Sequence, residues 1–313
     1  MRPAFSVVFL TTLIGAGQGL FVAVYGAELA AAAGVSLAVT DVRYFVRGAS
    51  LVVVLAALGL VASFFHLGRP ERAWRSAAMW RTSWLSREVI ALPLFMALAA
   101  AWGAAHHFGR GGTLLLGAVA LATCLALFFC TAMIYACIKF LQQWASPYTF
   151  PNFFLMGCAS GFTLATALAT AYSPALVWGN AVAAMLLTAA AFGTRIASLI
   201  RNAGIRHRSS TQTAIGVHHP QVRQVSQGFT GESFNTQEFF HGRSANTLRF
   251  VRTTFLLLAF IAPVALLGGG IAFRSAGVLA SAFVVQFVGL ALERWYFLAD
   301  AQHPQNLYYA NRS

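Results

Sequence analysis

Five ionisable residues fall inside or beside stretches of this chain that are otherwise apolar: Glu28, His66, Glu88, Glu293 and Arg294. A charge surrounded by hydrocarbon is costly, so each invites a functional reading. His66 ends one apolar stretch and Glu88 stands near the start of the next, with an arginine-rich connection between them. Both therefore lie at the same face of a membrane. A neutral imidazole can hydrogen-bond a carbonyl oxygen and carry a proton, and a carboxylate nearby can relay that proton. Quinone chemistry needs such an acid/base pair, because its electrons move together with protons. The same residues admit a plainer reading, in which His66 is an interfacial histidine and Glu88 pairs with Arg87 or Arg69. Spacing alone favours the plainer one.

Other chemistries find less support. Membrane haem needs histidines that face each other inside a bundle. His106 and His107 close the third apolar stretch, and six of the apolar stretches hold no internal histidine. No haem is expected on this chain. Cys124, Cys130, Cys137 and Cys158 form no CxxC pair, so no iron–sulfur or zinc site is written here, and no metal site is expected. Most apolar stretches lack charge at mid-depth, which disfavours a proton pump. A secondary transporter, with a site at mid-membrane between broken helices, stays as the alternative from another class. A purely structural anchor is the third reading.

The elements that must position these residues follow from composition. The chain has 313 residues, of which 58% are hydrophobic and 9% charged. Soluble domains usually carry about 25% charged residues, so this chain could not cover a water-facing surface. The expected fold class is all-α: a polytopic integral membrane protein with eight transmembrane helices forming one membrane domain over residues 1–313. Each expected span is near the roughly 20 residues that cross the hydrocarbon core. The spans are Phe5–Ala33, Tyr44–His66, Trp84–His107, Thr113–Phe140, Asn152–Tyr172, Pro174–Ile200, Leu248–Ile271 and Ser275–Leu298. The first is too long for the apolar core of a signal peptide and is read as a helix. Pro151 and Pro174 start helices, whereas Pro93 and Pro263 are expected to kink the third and seventh.

Twenty-one basic residues against 8 acidic give a net charge of +13. The positives sit mostly beside apolar helices, which points to orientation in a bilayer rather than to nucleic acid. Leu67–Ser83 holds Arg69, Arg72, Arg75 and Arg81. The other large connection, Arg201–Thr247, is polar and without apolar period. A loop of that length is a linker or a docking surface. By parity, one face collects Arg2, Arg69, Arg72, Arg75, Arg81, Arg87, Lys139, the Arg195–Arg252 set, Arg294 and Arg312, and the other only Arg43, Arg47, Arg110 and Arg274. The positive-inside rule puts both termini and both large loops in the cytoplasm of an inner-membrane protein. A reporter active only when exported should therefore stay silent when fused at Ser313; an active one would reverse the orientation.

One run is more specific. Phe64-Phe65-His66-Leu67-Gly68-Arg69-Pro70-Glu71-Arg72-Ala73-Trp74, followed by Trp84-Leu85-Ser86-Arg87-Glu88, resembles the signature of the dimethyl sulfoxide reductase membrane anchor family. In that family the pattern is HLG-x-P-x-RA, then LS-x-E. The resemblance extends to eight helices, to Gly15–Gly19 with Gln18, and to Glu293-Arg294. It implies a haem-free anchor that binds a quinone, either ubiquinone or menaquinone. Such an anchor exchanges electrons with an iron–sulfur subunit, itself partnered by a molybdopterin catalytic subunit. It also implies that His66 and Glu88 are the quinone-site histidine and glutamate. His66 would bond the quinone oxygen and carry its proton, and Glu88 would relay protons. Arg69, Arg72 and Arg81 would steady the reduced, anionic quinone and dock the iron–sulfur subunit. Trp84 and Gln18 are candidates for the pocket wall, in a pocket built by helices 1–4. Well-known sulfoxide reductase anchors present their soluble partners on the outer face, whereas the charge pattern here turns that face to the cytoplasm. The opening Arg2–Val7 and the run Gly231–His241 resemble anchors of cytoplasmic sulfite dehydrogenases, in which electrons would flow into the membrane.

Overall fold

The computed structural model describes residues 1–35, 41–65, 67–205, 210–219, 221–222, 238–304 and 306. His66 lies outside the described residues, as do residues 231–237 of the run singled out above. Among the described residues there is no strand, and eight helices are long and apolar enough to cross a membrane. They are α1 (Phe5–Ala32), α2 (Val42–Phe64), α3 (Trp84–His107), α4 (Thr113–Ala136), α5 (Thr149–Tyr172), α6 (Val177–Ala203), α7 (Ala245–Ala272) and α8 (Ala276–Ala299).

Local chemistry sets several of the starts. The first N–H groups of a helix lack partners within it, and a side-chain oxygen at the N-cap supplies one. Asp41 accepts from Arg43 N at 2.8 Å before α2, and Ser83 from Ser86 N at 3.3 Å before α3. Ser244 accepts from Thr247 N at 3.2 Å before α7, and Ser275 from Val278 N at 3.4 Å before α8. The connection before α3 coils into 3₁₀ turns over Pro70–Ala77, with a proline at their first position.

Two ends depart from hydropathy. The fourth helix was expected to reach Phe140 but stops at Ala136. The apolar residues beyond it fold back as turns and bury Leu141 and Trp144 against Tyr135 and Phe297. There Trp144 Nε1 donates to the Phe297 carbonyl at 2.9 Å, and Arg201 Nη1 donates to the Gln142 carbonyl at 2.8 Å. A run of apolar residues says that a segment is buried, not that it is helical. In α7, Pro263 has no N–H to give the carbonyl of Ala259. The helix widens to a π turn over Leu257–Ile261, and Gln286 Nε2 donates to the Ala259 carbonyl at 3.3 Å. The same amide donates to Thr188 Oγ1 at 3.0 Å and accepts from Thr163 Oγ1 at 2.7 Å. A neighbouring side chain thus re-satisfies the backbone that proline freed, as a membrane interior requires.

Helix α1 is the centre of the bundle, packed against α2, α4, α5 and α8. Its crossing with α5 depends on glycine. A Cβ built on Gly19 would stand 2.0 Å from the Gly157 carbonyl oxygen, and one on Gly161 would stand 2.0 Å from the Gly19 carbonyl carbon. Gly15 and Gly19 in α1 and Gly157 and Gly161 in α5 are spaced one turn apart, so two backbones meet without side chains between them. Lipid tails give little hydrophobic push between helices, and close backbone approach is what such bundles use instead.

The two ends of the bundle differ. At the end where α1 begins, Arg2 N donates to the Glu238 carbonyl at 2.9 Å, and Asn306 Nδ2 donates to the Phe239 carbonyl at 3.1 Å. Phe239 stacks on His303 with centroids 3.8 Å apart. Burial lowers the pKa of His303 and of His241, so both imidazoles are largely neutral near neutral pH. The N-terminus, the end of the long loop and the segment after α8 therefore share one face. At the opposite end, Glu28 accepts from Trp102 Nε1 at 2.9 Å and meets His106 Nε2 at 3.2 Å, and His106 stacks on Phe45.

Candidate functional site

Near the end where α1 begins, α1, α3, α4, α5 and α8 line a small cavity of mixed polar and apolar character. Its walls include Thr12, Gln18, Glu88, Thr131, Ser160 and Arg294, with Phe128, Phe153 and Met156 between them. The space open to the centres of water molecules is about 30 Å³. One water needs roughly 10–15 Å³ on that measure, so the cavity takes about two waters.

Glu88 lies in the second turn of α3 and is buried. Its Oε1 accepts a hydrogen bond from Thr131 Oγ1 at 2.5 Å. Ser83 caps α3 and Ser86 packs inward, so the helix enters the bundle with Glu88 on its inner side. Gln18 reaches the same cavity from α1, where its Nε2 donates to the Cys124 carbonyl at 2.9 Å. A buried carboxyl beside a hydroxyl and a small space can exchange protons with whatever occupies that space.

On the facing side the cavity meets a charged group of three. Arg195 of α6 and Glu293 and Arg294 of α8 are all buried, at 1%, 0% and 5% exposure. Arg294 Nε donates to Glu293 Oε2 at 2.6 Å, and Arg195 Nε stands 2.8 Å from Glu293 Oε1, out of line for a hydrogen bond. The Arg294 guanidinium lies over the Phe153 ring at 4.0 Å, and its Nη2 touches the Met156 sulfur at 3.0 Å.

The sequence candidates thus divide. Glu88 and Gln18 are brought together at one cavity. His66 lies outside the described residues. Arg69, Arg72 and Arg81 are exposed and do not line the cavity; Arg72 faces Glu71 at 3.9 Å. Trp84 is half-buried outside the cavity, with its ring against Phe129 and under the Arg87 guanidinium at 4.1 Å. Arg87 itself donates to the carbonyls of Trp80 and Arg81, so the plainer pairing of Glu88 with Arg87 is not formed. The cavity is lined from α1, α3, α4, α5 and α8, with no α2 residue in its wall, whereas the expected pocket was of helices 1–4. Glu28 is ten residues beyond Gln18 in α1, about 15 Å along the axis, and belongs to the other end.

Thr131 and Arg195 were not legible as site residues. A threonine among apolar neighbours carries no signal, since its hydroxyl can bond its own helix. Arg195 did carry one: it falls inside an expected span yet was counted among the charges of the loop that follows. Among the described residues, no three His, Cys, Asp or Glu side chains gather as a metal site.

Comparison with known proteins agrees with this architecture. The family model described as "DMSO reductase anchor subunit (DmsC)" matches residues 1–309. The chain is 52% identical over 322 aligned positions to a protein of Allochromatium vinosum named as a sulfite dehydrogenase subunit, covering 99% of both chains. It is 32% identical over 131 positions to "Anaerobic dimethyl sulfoxide reductase chain YnfH" of Escherichia coli, covering 41% of this chain and 46% of that one. A multi-pass helical bundle whose first and last helices both match the family leaves one assignment: this chain belongs to the DMSO reductase anchor subunit family, the membrane anchors of redox enzyme complexes with separate catalytic subunits.

Proposed function

We propose that this chain hosts proton-coupled electron exchange with a membrane quinone, Glu88 being the proton-exchanging group and His66 the hydrogen-bond partner of the ring oxygen. The observation that carries the reading is the buried Glu88 carboxyl, bonded to Thr131 at the edge of a small cavity near the loop-bearing end of the bundle. The residues fit such a ligand. Gln18, Thr12 and Ser160 offer polar contacts, and Arg294 Nη1 is a buried donor without a hydrogen-bond partner. A bound quinone takes up two electrons and two protons to become quinol, or gives them back. Glu88 holds one such proton at its carboxyl, and Thr131 fixes the orientation of that carboxyl.

The electrons pass to or from an iron–sulfur subunit, and the chemistry on substrate belongs to a molybdopterin subunit. Arg69, Arg72 and Arg81 are exposed on the Leu67–Ser83 connection and suit an acidic protein surface. The long loop reaches the same end of the bundle. The relative named as a sulfite dehydrogenase subunit favours sulfite as electron donor, with flow into the quinone pool. The charge asymmetry favours the inner membrane, with both termini and the docking face cytoplasmic.

The test uses membranes containing the soluble subunits with and without this chain. With it, sulfite should reduce a short-tailed ubiquinone; without it, only a soluble dye should be reduced. Equal quinone reduction in both would leave a purely structural anchor. Reduction of sulfoxide by quinol in place of sulfite oxidation would reverse the flow but keep the quinone site.

A further inference from the structure

The three-residue charge group of α6 and α8 is not balanced. Two guanidiniums, Arg195 and Arg294, share the single carboxylate of Glu293, which leaves the group one positive charge in excess; the next carboxyl, Glu88, lines the same cavity as Arg294 and takes its hydrogen bond from Thr131. The group is also short of acceptors. Arg294 Nη1 and Arg195 Nη2 are buried and have no hydrogen-bond partner. Buried cations are normally paired and bonded through all their donors, since an uncompensated one is strongly destabilising. A fixed guanidinium with an unused donor beside a cavity is the arrangement that favours an anionic or strongly polar oxygen within it.

Resting on the quinone reading above, we propose that Arg294 is the cationic wall of the quinone site, holding the ring oxygen that becomes negative on reduction, with Glu293 and Arg195 as its positioning residues. Arg294 lines the same cavity as Glu88, from a different helix. Its side chain is fixed on three sides: by Glu293 Oε2, by the Met156 sulfur and by the Phe153 ring beneath it. A guanidinium held this way keeps its remaining donor edge in place without reorganisation. Glu293 is turned to serve both arginines, and Arg195, which does not line the cavity, adds charge without touching the ligand. Acid and cation then have separate tasks. Glu88 would exchange the proton, and Arg294 would supply the positive charge that an oxygen in the cavity meets.

The test is a binding measurement and needs no turnover. The probes are an alkyl-substituted 1,4-naphthoquinone, which is neutral, and its 2-hydroxy derivative with the same tail, which is an anion near neutral pH. They are titrated into the assembled complex by calorimetry. The intact complex should prefer the anion by about tenfold, the scale of a charge-assisted bond in a partly dry site. Arg294→Gln should bring the ratio close to one, mainly by weakening the anion, and Arg294→Lys should retain part of the preference. Where Arg294→Gln fails to assemble, Arg195→Met decides. It lies outside the cavity, leaves Glu293 and Arg294 as a neutral pair, and should reduce the ratio. A preference that survives both changes overturns the inference and leaves the quinone reading intact. A complex that binds neither probe sinks the quinone reading, and this inference with it.

Discussion

Glu88→Gln is expected to slow quinone-linked turnover by roughly 10²–10⁴-fold, the range that a positioned general acid or base contributes. The amide keeps the shape of the carboxyl and can still accept from Thr131 Oγ1, so packing at the α3–α4 contact should be preserved. What it loses is the exchangeable proton, in a cavity with space for only about two waters to substitute. His66→Ala should cost a similar factor on the same reading, by removing the hydrogen-bond partner of the ring oxygen. Activity of the soluble subunits with a dye should persist in both variants, since that route bypasses the membrane. The measurement is the ratio of the two rates on the same membranes. Normal ratios in both variants would return the pair to its plainer role, an interfacial histidine and a satisfied buried carboxyl.

The second large effect is on assembly. Gly161→Leu should prevent α1 and α5 from closing. Even a Cβ at this position would stand 2.0 Å from the Gly19 carbonyl carbon and 2.1 Å from Leu20 N. Those are backbone atoms of the central helix, and no side-chain rotation can move them aside. Overpacking a core typically costs about 1–3 kcal/mol when side chains can shift, so a backbone clash here should exceed that range. Gly193→Leu is the matched control, because Gly193 lies on α6 with nothing within 4 Å of its Cβ position. In detergent, Gly193→Leu should give a monodisperse protein with an ordinary melting temperature, and Gly161→Leu should give aggregate or no protein. Equal melting temperatures for the two would mean that α1 and α5 do not cross as described.

The family follows from a short linear signature and from eight apolar stretches, both of which are properties of the chain read in order. The number of spans was legible because a bilayer demands a minimum apolar length, and few charges interrupt these stretches. Gly15 and Gly19 could be noticed by spacing, but their partners in α5 could not, since helix pairing is decided by contact. Glu88 stood out as an ionisable residue beside an apolar stretch, whereas Gln18 came only with the family resemblance.

The membership of the site needed the bundle. Nothing in sequence places Thr131 beside Glu88, or Arg294 across a cavity from it, because these residues are far apart along the chain and meet only through the packing of α3, α4 and α8. Arg195 looked like a loop charge because the positive-inside rule counts residues near helix ends without knowing which way they face; in the fold it is buried on Glu293. Gln286 is the same lesson in neutral form: only the tertiary structure sets its amide against the carbonyl that Pro263 left free. Hydrophobic length and local motifs therefore determined the class, the spans and the first acid of the site, since each depends on neighbouring residues alone. Which polar groups face one another, and where one positive charge is left over, depends on helix rotation and crossing, which the tertiary packing decided.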